Sequence, residues 1–304
     1  MKSSPKVSVI MNCYNSDRFL SQAIDSVFSQ TYENWEIIFW DNASTDDSAQ
    51  IAQSYSPDKL HYFRAEKNTS LGLARNLAMK RATGKYIAFL DCDDEYLPDK
   101  LSKQVQVMEE GGYRFCYGSA LVIDELGRLI RRHKVKYRSG YIFDKLLRRY
   151  EINMQTVMLE KSLLHEMDLQ FEPKLRYSPD YDLFMRVASF MPCGVVNEYL
   201  AKYRVCDNSL SKKTLHLVSD EQNFTLGNIV EKNPNLLNKL RGDFEFAFAK
   251  LHYYDAINLL SEGDFSQARK ELRQILFKSP KFVALYILLV FSVPRKAILS
   301  LLRR

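Results

Sequence analysis

The sequence lacks the features that define several broad protein classes. Its cysteines are odd in number and include no Cys-x-x-Cys pair, which argues against a disulfide framework and a structural zinc site. The longest apolar run, residues 282–293, is shorter than the roughly 20 residues that cross a bilayer. The N-terminal residues lack the basic and apolar regions of a secretory signal. We therefore expect a cytoplasmic, reducing setting.

Glycine-rich phosphate loops are also missing. No G-x-G-x-x-G follows the first apolar run, and no G-x-x-x-x-G-K-[ST] occurs anywhere in the chain. The five histidines match no zinc spacing, and no Ser/His/Asp or Cys/His set is suggested, so hydrolase chemistry is unsupported. If the chain binds a nucleotide, something other than a glycine loop must neutralise its phosphates.

The composition is that of a globular protein with one strongly basic stretch. Of 304 residues, 46% are hydrophobic and 26% are charged, enough to bury a sizeable core and to exclude disorder. The net charge is +6, yet residues 128–149 hold nine basic side chains and one acid. This stretch is either a solvated face or a surface for an anionic membrane or a phosphate-bearing substrate. Nucleic acid is not expected, because no reader motif accompanies the charge.

The apolar pattern alternates between strands and helices. β-Branched and aromatic runs predict four strands, at residues 6–12, 35–42, 60–66 and 85–91. Helical periodicity predicts helices at residues 19–30, 44–55, 70–84 with Gly84 as the stop, and from Pro98 onwards. This alternation is typical of an α/β fold with a mostly parallel sheet, in which ligands gather at the carboxyl ends of the strands.

Polar residues collect at these strand ends. Asn12 ends the first strand, Asp41 and Asn42 end the second, and Asp91 and Asp93 follow the fourth. Any one of them is an ordinary turn residue, but together they mark one edge of the sheet. Carboxylates at that edge suit Mg²⁺ or Mn²⁺, which bridge to phosphate oxygens. The pattern therefore predicts a metal and diphosphate site.

With these motifs the chain resembles the family 2 inverting glycosyltransferases of the GT-A fold. The resemblance covers about residues 6–211 and is carried by VSVIMNCYN, WDNASTDDS, LGLARNLAMKRATGKYIAFLDCDDEYLPDKL and YSPDYDLFMRVA with YRVCDNSLS. It implies a Rossmann-like, mostly parallel sheet flanked by helices in a catalytic domain of residues 1–214. A helical C-terminal extension, residues 215–304, follows.

The resemblance also implies roles for individual residues. The nucleotide-sugar is expected to contact Asn12, Tyr14, Asp41, Asn42, Arg75 and Asp91. Asp93 is favoured as the direct ligand of Mn²⁺ or Mg²⁺, with Asp91 nearer the ribose or beside the metal. Asp94 is expected to support these residues or to cap the turn. The donor is expected to be UDP-linked, although an amide at Asn42 leaves the base open.

Inverting transfer needs a carboxylate that takes the proton of the attacking acceptor hydroxyl. Asp180 matches the second position of the family's Glu-Asp motif, where the first position here is Pro179. Asp182 is the alternative, but its position favours bracing the following helix.

A second departure from the family pattern is Cys206, which stands where many relatives have His. It is either a soft ligand or, as we favour, a small buried residue. Arg204 and Ser209 are expected beside the diphosphate.

The C-terminal sequence predicts helices rather than a second catalytic domain. Two helical stretches meet near Gly263-Asp264 and resemble one tetratricopeptide-like hairpin, followed by an apolar helix and a basic amphipathic end. That end suits either an anionic membrane surface or core packing.

Together these features predict a metal-dependent transferase that builds cell-surface polysaccharide. The acceptor would be a glycan or a lipid-linked glycan at the inner face of the cell membrane. A degenerate glycosyltransferase serving as a scaffold is the alternative. A nucleotidyltransferase fits less well, because it would normally carry a phosphate loop near the first strand.

Overall fold

The computed structural model describes residues 4–206 and 214–290, which form two compact units. Residues 4–143 and 151–206 make up the first unit, and residues 144–150 with 214–290 make up the second. The sequence predicted a single boundary after residue 214, whereas residues 144–150 of the basic stretch belong to the second unit. This segment contacts residues of the second unit: Arg148 pairs with Asp243, and Lys250 Nζ donates to the Arg148 carbonyl at 3.2 Å.

The first unit is built on four parallel strands, β1 (Val7–Cys13), β2 (Trp35–Asp41), β3 (Leu60–Arg64) and β4 (Tyr86–Phe89). They lie in the order β3-β2-β1-β4. Every residue of β2 and β4 is buried, as expected for strands covered on both faces by crossover helices. The four predicted strands and their parallel arrangement are confirmed.

The sheet continues beyond β4 as a mixed sheet. The added strands are β5 (Glu95–Tyr96), β6 (Phe115–Ile123), β7 (Leu129–His133), β8 (Met158–Glu160) and β9 (Gly194–Arg204). The full order is β3-β2-β1-β4-β8-β6-β9-β5, with β7 paired to β6. β8 runs antiparallel to both of its neighbours, β4 and β6, while β9 is parallel to β6. The parallel arrangement therefore holds for the N-terminal part of the sheet.

Helices flank this sheet. They are α1 (Asp17–Phe28), α2 (Ser48–Gln53), α3 (Leu71–Met79), α4 (Lys100–Gly111), α6 (Ser162–Glu166) and α7 (Pro179–Phe190). Between α4 and α6 in the chain comes α5 (Phe143–Arg148), which belongs to the second unit from Asp144 onwards. The helix predicted at residues 19–30 is confirmed by α1, whose Leu20, Ala23, Ile24 and Val27 are all fully buried on one face. α4 begins at Lys100, two residues after the predicted start at Pro98.

Gly84 has a different role from the predicted one. α3 ends at Met79, so Gly84 does not stop the helix. A Cβ at this position would lie 2.7 Å from the Lys6 carbonyl oxygen and 2.8 Å from the Ser8 nitrogen. The glycine is therefore required by the close approach of the turn before β4 to the backbone of β1.

Over residues 214–290 the second unit contains five further helices, α8 (Val218–Lys232), α9 (Pro234–Lys239), α10 (Arg241–Glu262), α11 (Phe265–Ile275) and α12 (Pro280–Val290). α10 ends at Gly263, whose φ of 95° is left-handed, and the Asp264 side chain accepts from Gln267 N at 2.9 Å to cap α11. Ala268 and Leu272 are fully buried. The predicted hairpin at Gly263-Asp264 is confirmed.

The predicted basic amphipathic end and the last residues of the apolar run fall on residues 291–304, which lie outside the described residues. Within residues 4–206 and 214–290, no helix is both long enough and apolar enough to cross a membrane.

Candidate functional site

The ends of β1, β2 and β4 meet at one edge of the sheet. Cys13 pairs in register with Asp41, and Asn42 N donates to the Cys13 carbonyl at 2.8 Å. Beyond β4, the Cys92 thiol donates to the carbonyl of Asn12 at 3.2 Å. Parallel pairing therefore brings together the three polar strand ends identified in the sequence.

Asp91 is held in place from two directions. Arg75 Nη2 donates to Oδ1 at 2.9 Å, and Gln155 Nε2 donates to Oδ2 at 2.7 Å. Gln155 also accepts from the Asp91 backbone nitrogen at 2.9 Å. Arg75 and Gln155 are both buried, whereas the Asp91 side chain is 36% exposed. The carboxylate is thus fixed in orientation while it still faces solvent.

Gln155 is a residue that the sequence analysis missed. It lies in a short 3₁₀ helix, Met154–Thr156, and the Asn153 side chain accepts from its backbone nitrogen at 3.1 Å. The only signal in the sequence is a pair of amides, Asn153 and Gln155, within the mostly apolar run INMQTVML.

Asp93 and Asp94 differ in what surrounds their carboxyl groups. Burial, and then the charge of Asp91, raises the pKa of Asp93 to about 6. Within the described part of the chain, its carboxylate accepts one side-chain hydrogen bond, from the Cys206 thiol at 3.7 Å. Asp94 is fully buried, and its Oδ1 accepts from the backbone nitrogen of Arg204 at 2.6 Å. Asp94 therefore fastens β9 to this turn, while Asp93 keeps oxygen lone pairs available.

The side chains of Asp41 and Asn42 are bonded within the protein. Asp41 accepts from Ser44 N at 2.7 Å, from Tyr62 Oη at 2.5 Å and from Arg64 Nη1 at 3.0 Å. The Asn42 amide donates to the Thr69 carbonyl at 2.9 Å and accepts from the Thr69 nitrogen and hydroxyl. These two residues shape the wall of the site and hold the loop before α3.

Asn12 and Tyr14 lie at the same edge of the sheet and are able to contact a ligand. The buried Asn12 Nδ2 has no hydrogen-bond partner among residues 4–206 and 214–290. A buried donor without a partner is costly, so it usually meets a ligand or water. The Tyr14 side chain is half exposed. Both remain predicted contacts of the nucleotide-sugar.

Asp180 lies at the start of α7, directly after Pro179 in the first helical turn, where proline's fixed φ suits a helix. Burial raises the pKa of Asp180, the positive charge of Arg75 opposes this, and the charge of Asp91 adds to it. The carboxyl of Asp180 is therefore near enough to both groups to interact with their charges.

Tyr203, on β9, is a second residue that sequence reasoning missed. Burial raises the pKa of its phenol, followed by the negative charges of Asp94, Asp93, Asp91 and Asp180. Its hydroxyl lies within the field of all four carboxylates. In the sequence it is one tyrosine among 18, with no pattern that distinguishes it.

Asp182, the alternative base, forms hydrogen bonds with Arg186. It is fully buried, and its Oδ2 accepts from Arg186 Nε at 2.9 Å and from Arg186 Nη2 at 2.7 Å. Arg186 also donates to the Gln170 carbonyl at 2.6 Å. Asp182 therefore connects α7 to the segment before it, as expected for a bracing residue.

Arg204 and Cys206 lie next to Asp93. The buried guanidinium of Arg204 donates to the carbonyls of Asp93 and Asp124, at 2.8 and 3.3 Å, and to Glu95 at 2.6 Å. These bonds hold the Asp93 turn rather than leave the cation free. Cys206 is half-buried with its thiol near Asp93, and Ser209 lies outside the described residues.

Two solved structures share the fold. The Staphylococcus aureus protein TarS, residues 1–349, in complex with UDP, superposes with a TM-score of 0.60 at 19% identity, over 88% of this chain and 87% of that chain. The Pyrobaculum calidifontis mannosyltransferase PcManGT, in complex with GDP-Man and Mn²⁺, gives a TM-score of 0.62 at 16% identity, over 97% of this chain and 83% of that one. The expected GT-A fold is confirmed.

Sequence relatives agree with the structures. The chain is 31% identical over 236 residues to the Escherichia coli protein WfgD, UDP-Glc:alpha-D-GlcNAc-diphosphoundecaprenol beta-1,3-glucosyltransferase, covering 75% of this chain and 87% of WfgD. It spans only about a third of the length of the Rickettsia relatives that it also matches. The model of the family named Glycosyl transferase family 2 matches residues 8–166. The chain therefore belongs to glycosyltransferase family 2.

Proposed function

We propose that the protein is a metal-dependent inverting glycosyltransferase. It transfers a sugar from a UDP-linked donor to a hydroxyl of a glycan or lipid-linked glycan acceptor in cell-surface polysaccharide synthesis. The observation that carries the proposal is the arrangement around Asp91. This carboxylate is fixed by Arg75 and Gln155, it adjoins Asp93, and its charge acts on Asp180.

The donor is proposed from the strand edge and from the relatives. The Asn12 amide has an unused donor and Tyr14 a half-exposed ring, which suit a nucleobase and its ribose. Asp41 and Asn42 support them indirectly, through the loops that they hold. WfgD is named for UDP-Glc and TarS was solved with UDP, whereas PcManGT holds GDP-Man. We favour UDP on this basis.

A divalent cation, Mn²⁺ or Mg²⁺, suits the residues at the Asp93 turn. Asp93 offers hard oxygen atoms that accept one long side-chain hydrogen bond among the described residues, at 3.7 Å. The raised pKa of Asp93, due to burial and the charge of Asp91, reflects a crowding of negative charge that a cation would relieve. Asp93 and Asp91 would hold the ion. When bound, it would supply electrostatic stabilisation of the leaving diphosphate.

Asp180 is proposed as the general base. Its raised pKa, caused mainly by burial, makes the carboxylate a better proton acceptor than a solvated aspartate. Arg75, which binds Asp91, also keeps the charged form of Asp180 favourable. Asp180 would accept the proton of the acceptor hydroxyl as that oxygen attacks the anomeric carbon. The product would carry the anomeric configuration opposite to that of the donor.

The acceptor is proposed from a sequence relative. WfgD, which this chain covers over 87% of its length, is named for a diphosphoundecaprenol-linked acceptor. A lipid-linked acceptor would place the protein at the inner face of the membrane. It also agrees with the predicted membrane role of the basic stretch and the C-terminal end.

The test combines donor binding with turnover. The purified chain is screened by thermal shift and by donor hydrolysis against a panel of nucleotide-sugars, with Mn²⁺, with Mg²⁺ and with EDTA. We expect stabilisation by one nucleotide-sugar that requires metal, as binding to the native state alone predicts. Asp180→Asn should retain this donor-dependent shift and lose transfer, whereas Asp99→Asn, an exposed aspartate at the start of α4, should change neither.

Two outcomes would overturn the proposal. If no donor or metal shifts the melting temperature, the chain is a scaffold with a glycosyltransferase fold. If Asp180→Asn retains near-native transfer, the base is a different group.

A further inference from the structure

The hairpin formed by the end of β6 and by β7 exposes aliphatic side chains. Leu126 in its turn is 73% exposed, and Leu129 and Ile130 on β7 are 46% and 54% exposed. Successive residues of a strand point to opposite faces, so this hairpin presents apolar side chains on both faces. Among the described strands, β7 pairs only with β6.

The same hairpin carries three cations that pair with no carboxylate among residues 4–206 and 214–290. Arg131, Arg132 and Lys134 are exposed, and none forms an ion pair with a described carboxylate. Arg128, by contrast, is paired with Asp124 at 2.7 Å. Aliphatic side chains next to unpaired cations are typical of elements that enter the interface of an anionic bilayer. There the cations meet lipid phosphates and the aliphatic groups reach the acyl boundary.

The hairpin turn is well ordered by its own hydrogen bonds. The Asp124 carboxylate accepts from the backbone nitrogens of Leu126 and Arg128, at 2.9 and 2.8 Å. Gly127 supplies the left-handed conformation that the turn needs, with φ of 78°. The exposed residues are therefore presented by a defined turn.

The base of the hairpin is tied to the candidate site. Arg204 donates both to the Asp124 carbonyl and to the Asp93 carbonyl. Glu125 pairs with Arg18 of α1 at 2.7 Å. One buried side chain thus joins the hairpin to the turn that carries the proposed metal ligand, so the orientation of one fixes the orientation of the other.

We propose that this hairpin, residues 123–134, docks the first unit on an anionic lipid bilayer and so turns the Asp93 side of the site toward the membrane surface. The inference rests on the proposed function, in which the acceptor is lipid-linked. It adds the element that binds the bilayer, and it assigns a role to the basic residues 128–134 that the mechanism does not use.

The test uses the full chain and vesicles of phosphatidylcholine with or without about 30% phosphatidylglycerol. In Leu126→Trp, the new indole sits at the hairpin turn, while native Trp35 and Trp40 are only 5% and 8% exposed. We expect brominated phosphatidylglycerol to quench the fluorescence of the tryptophan introduced at position 126. This readout reports on the hairpin itself even if residues 291–304 also bind lipid.

Charge reversal provides the second measurement. Arg131→Glu/Arg132→Glu should weaken vesicle binding by about 25-fold or more, since each basic residue near an anionic surface contributes roughly fivefold. The matched control is Lys80→Glu/Lys174→Glu, which makes the same charge change at exposed lysines elsewhere on the first unit and should change binding less than twofold.

The inference is overturned if brominated lipid leaves the emission of Leu126→Trp unchanged, or if the two charge-reversal variants bind alike. A blue shift of that emission that grows with protein concentration in the absence of lipid would also overturn it, because a second copy of the chain would then cover the hairpin. Donor hydrolysis in solution separates the two proposals. The hairpin variants should retain it, and its absence from the unmodified chain would refute the proposed function alone.

Discussion

Glu36→Gln tests whether the first unit depends on one buried charge. Glu36 on β2 is 1% exposed. Its carboxylate accepts from Ser8 Oγ at 2.6 Å and from the nitrogen and hydroxyl of Thr83, each at 2.8 Å. Lys6 Nζ lies 2.6 Å from its other oxygen. These contacts join β1, β2 and the turn before β4 in a single network.

The size of the effect follows from the pKa of Glu36. Burial would raise this pKa, but hydrogen bonds from Lys6, Ser8 and Thr83 outweigh burial and lower it from 4.5 to about 2. At about 1.4 kcal/mol per tenfold change in proton affinity, the ionised form stabilises the fold by about 3 kcal/mol at pH 7. Because the folded pKa lies below the unfolded one, this contribution is complete above about pH 5. It is lost as the pH falls through 4.5 toward 2, with about 1 kcal/mol left near pH 3.

The assay is urea unfolding followed by tryptophan fluorescence at several pH values. The chain has two tryptophans, Trp35 and Trp40, and both lie on β2 with Glu36, so the signal reports on the first unit. Glu36→Gln should lower the free energy of unfolding by about 3 kcal/mol at pH 7, which moves the urea midpoint by about 1.5 M. The exposed Glu33 provides the control, because Glu33→Gln should leave the midpoint unchanged. Equal stability at pH 7, or a difference that stays constant from pH 7 to pH 3, would refute the reasoning.

Three further predictions concern the candidate site. Asp182→Asn should destabilise the first unit by about 3 kcal/mol in the same urea assay, since it removes a buried carboxylate and leaves the partly buried Arg186 without its charge partner. Transfer per folded molecule should persist, and a catalytic loss at full stability would contradict the bracing role. Gln155→Ala should weaken Mn²⁺ binding about 10- to 100-fold by calorimetry, because Asp91 loses one of its two supports; unchanged affinity would show that Arg75 alone suffices. At pH values below about 6, the affinity for Mn²⁺ should decrease roughly tenfold per pH unit, because protons compete for Asp93. An affinity that is the same at pH 5 and pH 7 would exclude Asp93 as the ligand.

Much of the first unit could be predicted from the sequence because its signals are local. The apolar runs of β1, β2, β3 and β4 are continuous, the intervening helices carry apolar stripes, and parallel strands end at the same edge. From these three facts alone, Asn12, Asp41 and Asp91 are predicted to lie close together. In the second unit, Gly263 and Asp264 mark a helix end and a helix start by residue type alone.

The remaining features depend on contacts between residues far apart in the chain. β8 lies between β4 and β6, which inserts antiparallel pairing that no periodicity reveals. Gly84 reads as a helix stop in the sequence, yet it is required by the backbone of β1 some 76 positions earlier in the chain. Local pattern gives the conformation of a segment but not its neighbours, so strand order and close approach were decided by packing.

The site divides in the same way. The sequence determined which carboxylates stand at the strand ends, because residue type and position in the pattern are sufficient for that. Only the tertiary structure decided which polar side chains of the site are already hydrogen-bonded to other protein groups. Asn42 is used by the Thr69 loop, Asp182 by Arg186, and Asp91 is supported by Gln155, 64 residues away. The physical reason is that a hydrogen bond depends on the distance between its atoms in space, and folding sets that distance independently of separation along the chain.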